Sequence, residues 1–450
     1  MMFSTSTGYS VNEYSSILED TDADYENNTK GKSSVVRAGA NMTKSFIGAA
    51  SFELPWAVMQ AGLLGGILGL IFLAFIANYT IKLLSKCRKL TDNPEKSTYV
   101  HIGKETFGIS GVILVNISVI ALNLGICASY VDFIASNFSS VLVNVSNNEI
   151  FTPGLCILMV APILLFLSMI RSYSFLLFTS VPGCLALLFA MIVSYGYFFS
   201  EYDIQPLSHY PLINFESFPL FFGNAAFLFC IHSVVLPIEQ SMENKEYFAR
   251  TVNVSMVFVT LLNLTFAVIC YMLLGYCAQG TVTDNLPKGW LPTTVQLFLC
   301  VDILFTYTIF IIPLSEMVEK LLKIKKNSSW WRIKYITLRI CLVAFTICFA
   351  LLVPMFNAIT NIVGGLSIFV GIILPPIFYI FLLRKKGFQI SWQTYLLNGS
   401  VCVIGILAGI AVIISTIFMS EIEIGIQLAT GEDPLDCNAN EIYTYSPAWI

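Results

Sequence analysis

The chain is short of the residues that carry chemistry in soluble enzymes. Only 12% of its 450 residues are charged, and only three are histidine. His101, His209 and His232 lie in separate segments, so they make no metal or nucleophile constellation, and no cofactor is expected. No glycine-rich phosphate loop precedes a Lys-Ser or Lys-Thr pair, which argues against a nucleotide-driven pump. The twelve cysteines fall mostly inside apolar stretches without metal-type spacing, Cys437 excepted, and read as small core residues rather than a disulfide framework. No apolar run follows the first methionine, so no cleavable signal peptide is expected. The net charge of -4 says little by itself, and no nucleic-acid partner is expected.

What is present is apolar. Hydrophobic residues make up 56% of the chain and mean hydropathy is +0.76, the composition of a polytopic membrane protein with the lipid bilayer as its surroundings. Residues 1–37, with Glu13, Glu19, Asp20, Asp22, Asp24 and Glu26, lack the apolar surface to offset ordering and read as a disordered cytosolic tail. Apolar runs long enough to span occur at roughly 39–60, 63–84, 111–136, 153–170, 174–199, 217–239, 251–275, 292–316, 334–354, 357–383 and 396–418. Eleven spans with a cytosolic N-terminus leave Lys288 as the one cation on the far side. A missed or extra span would invert every later loop, so this asymmetry supports both count and orientation. The tail at 419–450 has no Lys or Arg and is expected to be lumenal or extracellular. Sequons at Asn137 and Asn144 fall in the expected outer loop 137–152 and are candidate glycosylation sites.

The first span holds Gly48-Ala49-Ala50-Ser51, a carboxylate at Glu53 and a proline at Pro55, where a lipid-facing helix would carry leucine. Such a helix is expected to break in the membrane and to offer its freed backbone groups to a substrate or ion. The sixth span repeats the pattern: Gly223, Ala225-Ala226, Phe227, then Leu236-Pro237. The sixth begins five spans after the first, an odd offset, so a second copy would run inverted to the first; the alternative is ordinary close helix packing by small residues.

At these residues the chain resembles the amino acid/auxin permease family, which includes vacuolar, proton-coupled and sodium-coupled neutral amino acid transporters. Ile47-Gly48, Leu54-Pro55-x-Ala57 and Gln60-Ala61-Gly62 resemble its first-helix signature, and Phe227-x-Phe229 with Leu236-Pro237-Ile238 its sixth. Phe305-Thr306-Tyr307 resembles the eighth helix of the proton-coupled branch, whereas Cys230 to Ser233 look like the sodium-coupled glutamine-type branch. Ala50 stands where the family usually has a glycine, and Glu53 where a small residue is common.

The resemblance implies an all-α polytopic fold: a five-plus-five inverted repeat of the APC/LeuT type (about 39–199 and 217–383) with one extra helix at 396–418. It implies an amino acid substrate, its carboxylate on the amides of Gly48, Ala49, Ala50 and Ser51 and its ammonium on carbonyls around Phe227 to Ile231. Phe229, Cys230 and His232 would set side-chain size and polarity. Glu53 is a candidate proton acceptor or partner for a cation. Asp302 and Thr306, four apart, share the face of the eighth helix that helps form an ion site. Lys44 sits where sodium-coupled relatives tend to carry asparagine. A lysine there would repel sodium by about 4 kcal/mol at 4 Å with an effective dielectric near 20, or pair with Asp302 or with first-helix carbonyls and take the ion's place. The alternative is that Lys44 snorkels to the headgroups.

The reading is a secondary amino acid transporter working by alternating access, coupled to protons rather than sodium, and not an enzyme. A transporter-like sensor without net flux, or a sodium-coupled glutamine-type transporter, is the alternative. Glu13-Tyr14-Ser15-Ser16-Ile17-Leu18 resembles dileucine and tyrosine sorting signals and leans the location toward a vacuolar or lysosomal membrane, with the plasma membrane next.

Overall fold

A computed structural model of the chain describes residues 33–95, 97–169, 173–229, 231–322, 324, 330–353 and 356–430. Among these the structure is helical, with one isolated β-bridge, Ser33 to Met242. Nine helical stretches are long and apolar enough to cross a membrane, and Pro153–Ser168 is a shorter apolar helix. The first span is absent from those nine because it is cut in two: α1 (Val35–Phe46) and α2 (Ala49–Ala61). Then follow α3 (Leu63–Leu90), the short α4 (Tyr99–Phe107), α5 (Ile109–Ser146), α6 (Pro153–Ser168) and α7 (Tyr173–Glu201). The second half holds α8 (Phe218–Leu228), α9 (His232–Ser241), α10 (Phe248–Leu274), α11 (Trp290–Leu321) and α12 (Trp331–Leu352). A π-helical segment, Ile368–Ile373, joins α13 (Phe356–Ser367) to α14 (Leu374–Lys385), and α15 (Trp392–Thr430) completes the set.

The first break falls earlier than the proline suggested. Ile47 is extended at the end of α1 and Gly48 is extended ahead of α2, while Pro55 sits inside α2 and Ala49 to Ser51 form its first turn. The sixth span breaks between Leu228 and His232. The two broken helices lie together, with α2 against α8, α3 and α10, and α8 against α13; α5 and α11 pack on each other beside them. Small residues allow this closeness. A Cβ on Gly364 of α13 would lie 1.9 Å from the Gly223 carbonyl of α8, so the two backbones are in direct contact. Gly62 turns the chain from α2 into α3 at φ +78°, and the amides of Leu63, Leu64 and Gly65 are then met by the Pro211 and Leu212 carbonyls.

Several expected boundaries move. The third apolar stretch runs 38 residues, from Ile109 to Ser146. Asn137 is therefore no loop residue: it is buried in α5, its side-chain nitrogen donating to the Phe133 carbonyl at 2.9 Å, so it is not presented as a glycosylation acceptor. Asn144 is half-buried near the end of the same helix. Helix α15 continues to Thr430, so the tail expected from 419 starts as helix. Cys277 is disulfide-bonded, against the expectation that the cysteines form no disulfide; the other nine described cysteines are free thiols, so its partner lies outside the described residues. The sorting-signal motif, most of the expected N-terminal tail, Cys230 and Cys437 also lie outside them.

Gly364→Val should lower the thermal midpoint of the detergent-solubilised protein, because its side chain must displace the Gly223 backbone; overpacking costs about 1–3 kcal/mol or more. Gly399→Val is the control, since nothing lies within 4 Å of a Cβ there. Equal midpoints for the two variants would contradict the α8–α13 contact.

Candidate functional site

The breaks in α1/α2 and α8/α9 meet at a small cavity lined by Ser45, Gly48, Ala50, Tyr130, Phe227 and Phe310, among others. The hydroxyl-bearing side chains of Ser45 and Tyr130 are among its lining, and backbone groups at the two breaks lie beside them. The first amides of a helix have no carbonyl one turn back, and no partner among the described residues takes the amides of Ala49 and Ala50. Gly48 caps them with no side chain, unlike the start of α3, where a loop supplies carbonyls. An uncapped helix N-terminus inside an apolar bundle carries partial positive charge and can receive an anion. At the α8 break the carbonyls of Phe227, Phe229 and Ile231 accept backbone N–H groups, while among the described residues no such bond reaches the Leu228 carbonyl, and Leu228 lines the cavity. Tyr130 and Phe310 meet edge-on at 5.8 Å and form the wall between these two ends. The cavity holds about 10 Å³, near the space of one water, so a larger guest requires these side chains to move.

The expected binding residues divide into two groups. Gly48, Ala50 and Phe227 line the cavity, and Ala49 is buried between two of them at the start of α2. Ser51 is buried in the first turn of α2, its amide bonded to the Gly48 carbonyl at 3.1 Å. Phe229 is buried against Phe46 at 6.3 Å between ring centres. His232 is not brought to the cavity: its Nε2 lies 3.0 Å from the Thr80 hydroxyl of α3, and its ring packs on Gly371 in the π-helical segment.

Beside the cavity Lys44 of α1 reaches across to Asp302 of α11, with Nζ 2.7 Å from Oδ1 and 2.5 Å from Oδ2. Both side chains are almost wholly inaccessible, at 3% and 2% exposure, so the lysine is not snorkelling. Gly183 of α7 makes room for the pair, since a Cβ there would lie 2.0 Å from Asp302 Oδ1. Thr306 does not join it; its hydroxyl donates to the Asp302 carbonyl of its own helix at 2.9 Å.

Glu53 is fully buried and takes the Thr360 hydroxyl of α13 on Oε1. Sequence reasoning missed its partners Thr360 and Asn357, missed Asn224, which meets the same Thr360 hydroxyl, and missed Glu239. That buried carboxylate at the end of α9 accepts Arg88 Nε at 3.1 Å and the Ser85 hydroxyl at 2.6 Å. Arg88 had been counted as one more loop cation; the signal overlooked was a glutamate two residues after Pro237 in an apolar run. Nearby, Ser33 exchanges backbone bonds with Ser241 and Glu243, at 3.0 Å each.

Asp302→Asn should destabilise the protein by about 3–5 kcal/mol, because it strands the Lys44 charge in the bundle, whereas the double variant Lys44→Met/Asp302→Leu should recover most of that loss. Thermal midpoints across the cycle check this; additive losses would show that the two side chains are not a pair.

The family profile described as transmembrane amino acid transporter protein matches residues 31–418. The amino acid transporter AVT3B of Arabidopsis thaliana is 26% identical over 84% of this chain and 92% of its own length. The amino acid transporter ANT1 of the same plant is 27% identical over 78% and 85%. Two solved structures share the fold. One is MHP1, a nucleobase-cation-symport-1 family transporter with bromovinylhydantoin bound (TM-score 0.54, 13% identity, covering 93% of this chain and 97% of that one). The other is MhsT in complex with L-phenylalanine (TM-score 0.52, 11% identity, 86% and 100%). With helices that cross the membrane many times and a profile covering nearly all of them, this chain is an integral multi-pass protein belonging to the transmembrane amino acid transporter family.

Proposed function

We propose that the protein is a secondary transporter that carries amino acids by alternating access and couples their movement to protons. The observation that carries this reading is the pair of backbone ends at one cavity: open amides at Ala49 and Ala50, and the Leu228 carbonyl at the α8 break. A free amino acid has a carboxylate and an ammonium on one carbon, and these two ends match that dipole without using its side chain. The aromatic walls would then judge the side chain.

The Lys44–Asp302 pair supports the choice of ion. A cation bound between α1 and α11 would need the Asp302 carboxylate, and both its oxygens already hold the lysine. Because the pair is neutral overall, sodium is excluded by occupancy rather than by the simple repulsion expected of an unpaired lysine.

In this reading eleven crossings form the unit: the nine long stretches, α6, and α1 with α2 as one broken span. The two broken spans open the halves of an inverted five-plus-five repeat, and α15 follows it. The N-terminus and the basic ends of α3 and α14 face the cytosol, the C-terminal segment faces the lumen or exterior, and the membrane is vacuolar or lysosomal rather than the plasma membrane.

Reconstituted into vesicles without sodium, the protein should accumulate an amino acid when a pH gradient is imposed, and a competition panel would name the substrates. Uptake that ignores the gradient and follows sodium would contradict the coupling. Amino acid binding with no uptake under any gradient would favour a sensor.

A further inference from the structure

The cavity has a polar roof. Glu53 lies three residues beyond Ala50 on α2, and Asn224 three residues before Phe227 on α8, so each stands one turn from a lining residue. Both turns lie toward the end of the bundle where the Ser217 hydroxyl meets the Gln60 carbonyl, opposite the Arg88–Glu239 end. Thr360 of α13 closes the third side: its oxygen meets Glu53 Oε1 and lies 3.2 Å from Asn224 Oδ1 and 2.9 Å from the Phe356 carbonyl. With its amide turned as its neighbours require, Asn357 donates to Glu53 Oε1 at 3.1 Å and to the Gly280 carbonyl at 3.0 Å.

This cluster does not balance with an ionised Glu53. The carboxyl is wholly buried, and among the described residues no Lys, Arg or His pairs with it and Oε2 has no hydrogen-bond partner. A hydroxyl has a single proton, yet four acceptors surround the Thr360 oxygen: Glu53 Oε1, Asn224 Oδ1 and the carbonyls of Phe356 and Asn357. If Glu53 carries a proton it donates to that oxygen, which passes its own proton to Asn224 or to one of the two carbonyls. If Glu53 is ionised, Thr360 turns its proton to the carboxylate and Asn224 Oδ1 loses its donor. The same atoms thus accept one proton more or less, and the change alters how α13 holds α2 and α8.

The other titratable groups on neighbouring elements include Asp132, Tyr130 and Cys127 of α5, Cys270 and Tyr271 of α10, Tyr79 and Lys82 of α3, and Asp284 in the turn Val282–Asn285, with Lys86, Cys87, Arg88 and Lys89 at the far end of α3 and Arg250 at the far end of α10. Cys402 and Tyr395 lie on α15, which packs on α13. None forms a salt bridge or hydrogen bond with Glu53 among the described residues.

We propose that Glu53 binds the proton that is transported with the amino acid, and that its protonation state governs the roof joining α2, α8 and α13. Glu53 takes the proton from water on the roof side and returns it to water on the other face, so each cycle moves one proton and leaves the carboxylate regenerated. The proposal rests on the transporter reading above.

The test uses the full chain in vesicles. Wild-type exchange of labelled for unlabelled amino acid at equal pH establishes transport by itself. In Glu53→Gln the accumulation driven by a one-unit pH gradient, at most about tenfold for a single proton, should disappear, and whatever exchange remains should no longer vary with pH. Glu53→Asp should restore part of the accumulation. Gradient-driven accumulation unchanged in Glu53→Gln overturns the proposal, as does intact accumulation with loss of lysine and arginine uptake, which would make the carboxylate a side-chain subsite. If Glu53→Gln fails to fold, infrared difference spectra of wild-type protein decide. A buried carboxyl band that titrates and shifts in Glu53→Asp is expected, and its absence overturns the assignment. No exchange in wild type for any amino acid would instead defeat the transporter reading, while the infrared result on Glu53 still stands or falls alone.

Discussion

A lysine and an aspartate with almost no access to water, held by two bonds of 2.7 and 2.5 Å, tie the first half-helix to the eighth span. Neither could stay buried without the other, since an isolated charge in such surroundings costs several kcal/mol. The pair therefore fixes where α1 ends, and with it where Gly48 must turn the chain and where α2 begins. The packing around it agrees: glycine at 183 leaves the space that the carboxylate occupies.

With α1 anchored, the remaining polar features fall into layers around the cavity. Open amides of α2 and the end of α8 form its middle. On one side lies the Glu53, Asn224 and Thr360 roof. On the other lies the Arg88–Glu239 pair, with the Ser33 strap alongside α9. Both layers are made of hydrogen bonds between elements from different parts of the chain, which can be exchanged for water more cheaply than apolar packing can be pulled apart. A carrier that opens to one face at a time needs that kind of closure at each end.

Much of this was legible in the sequence, because membrane burial makes every polar residue expensive. Small residues and a proline marked the first broken span, its echo marked the sixth, and Lys44, Glu53 and Asp302 stood out as charges in apolar runs. Pairing with Asp302, pairing with first-helix carbonyls and snorkelling were all open to Lys44, and the structure adopts the first. Other features depend on three-dimensional neighbours that periodicity does not reveal. His232 looked like a binding residue from its place in the sixth span, but its ring turns toward Thr80 and Gly371. Asn137 looked like loop because the apolar run fades there, yet α5 continues to Ser146 on polar residues whose side chains bond back to their own helix. Tyr130 and Phe310 were lost among 35 phenylalanines and 20 tyrosines, where no spacing distinguishes a cavity wall from core.

The central claim is that the Lys44 ammonium holds the position a metal cation would need. It is tested most directly by measuring amino acid binding to the purified protein with sodium replaced by a bulky organic cation at constant ionic strength. The account predicts one affinity in both media for wild type. Affinity that falls tenfold or more on removing sodium, about 1.4 kcal/mol or greater, would contradict it.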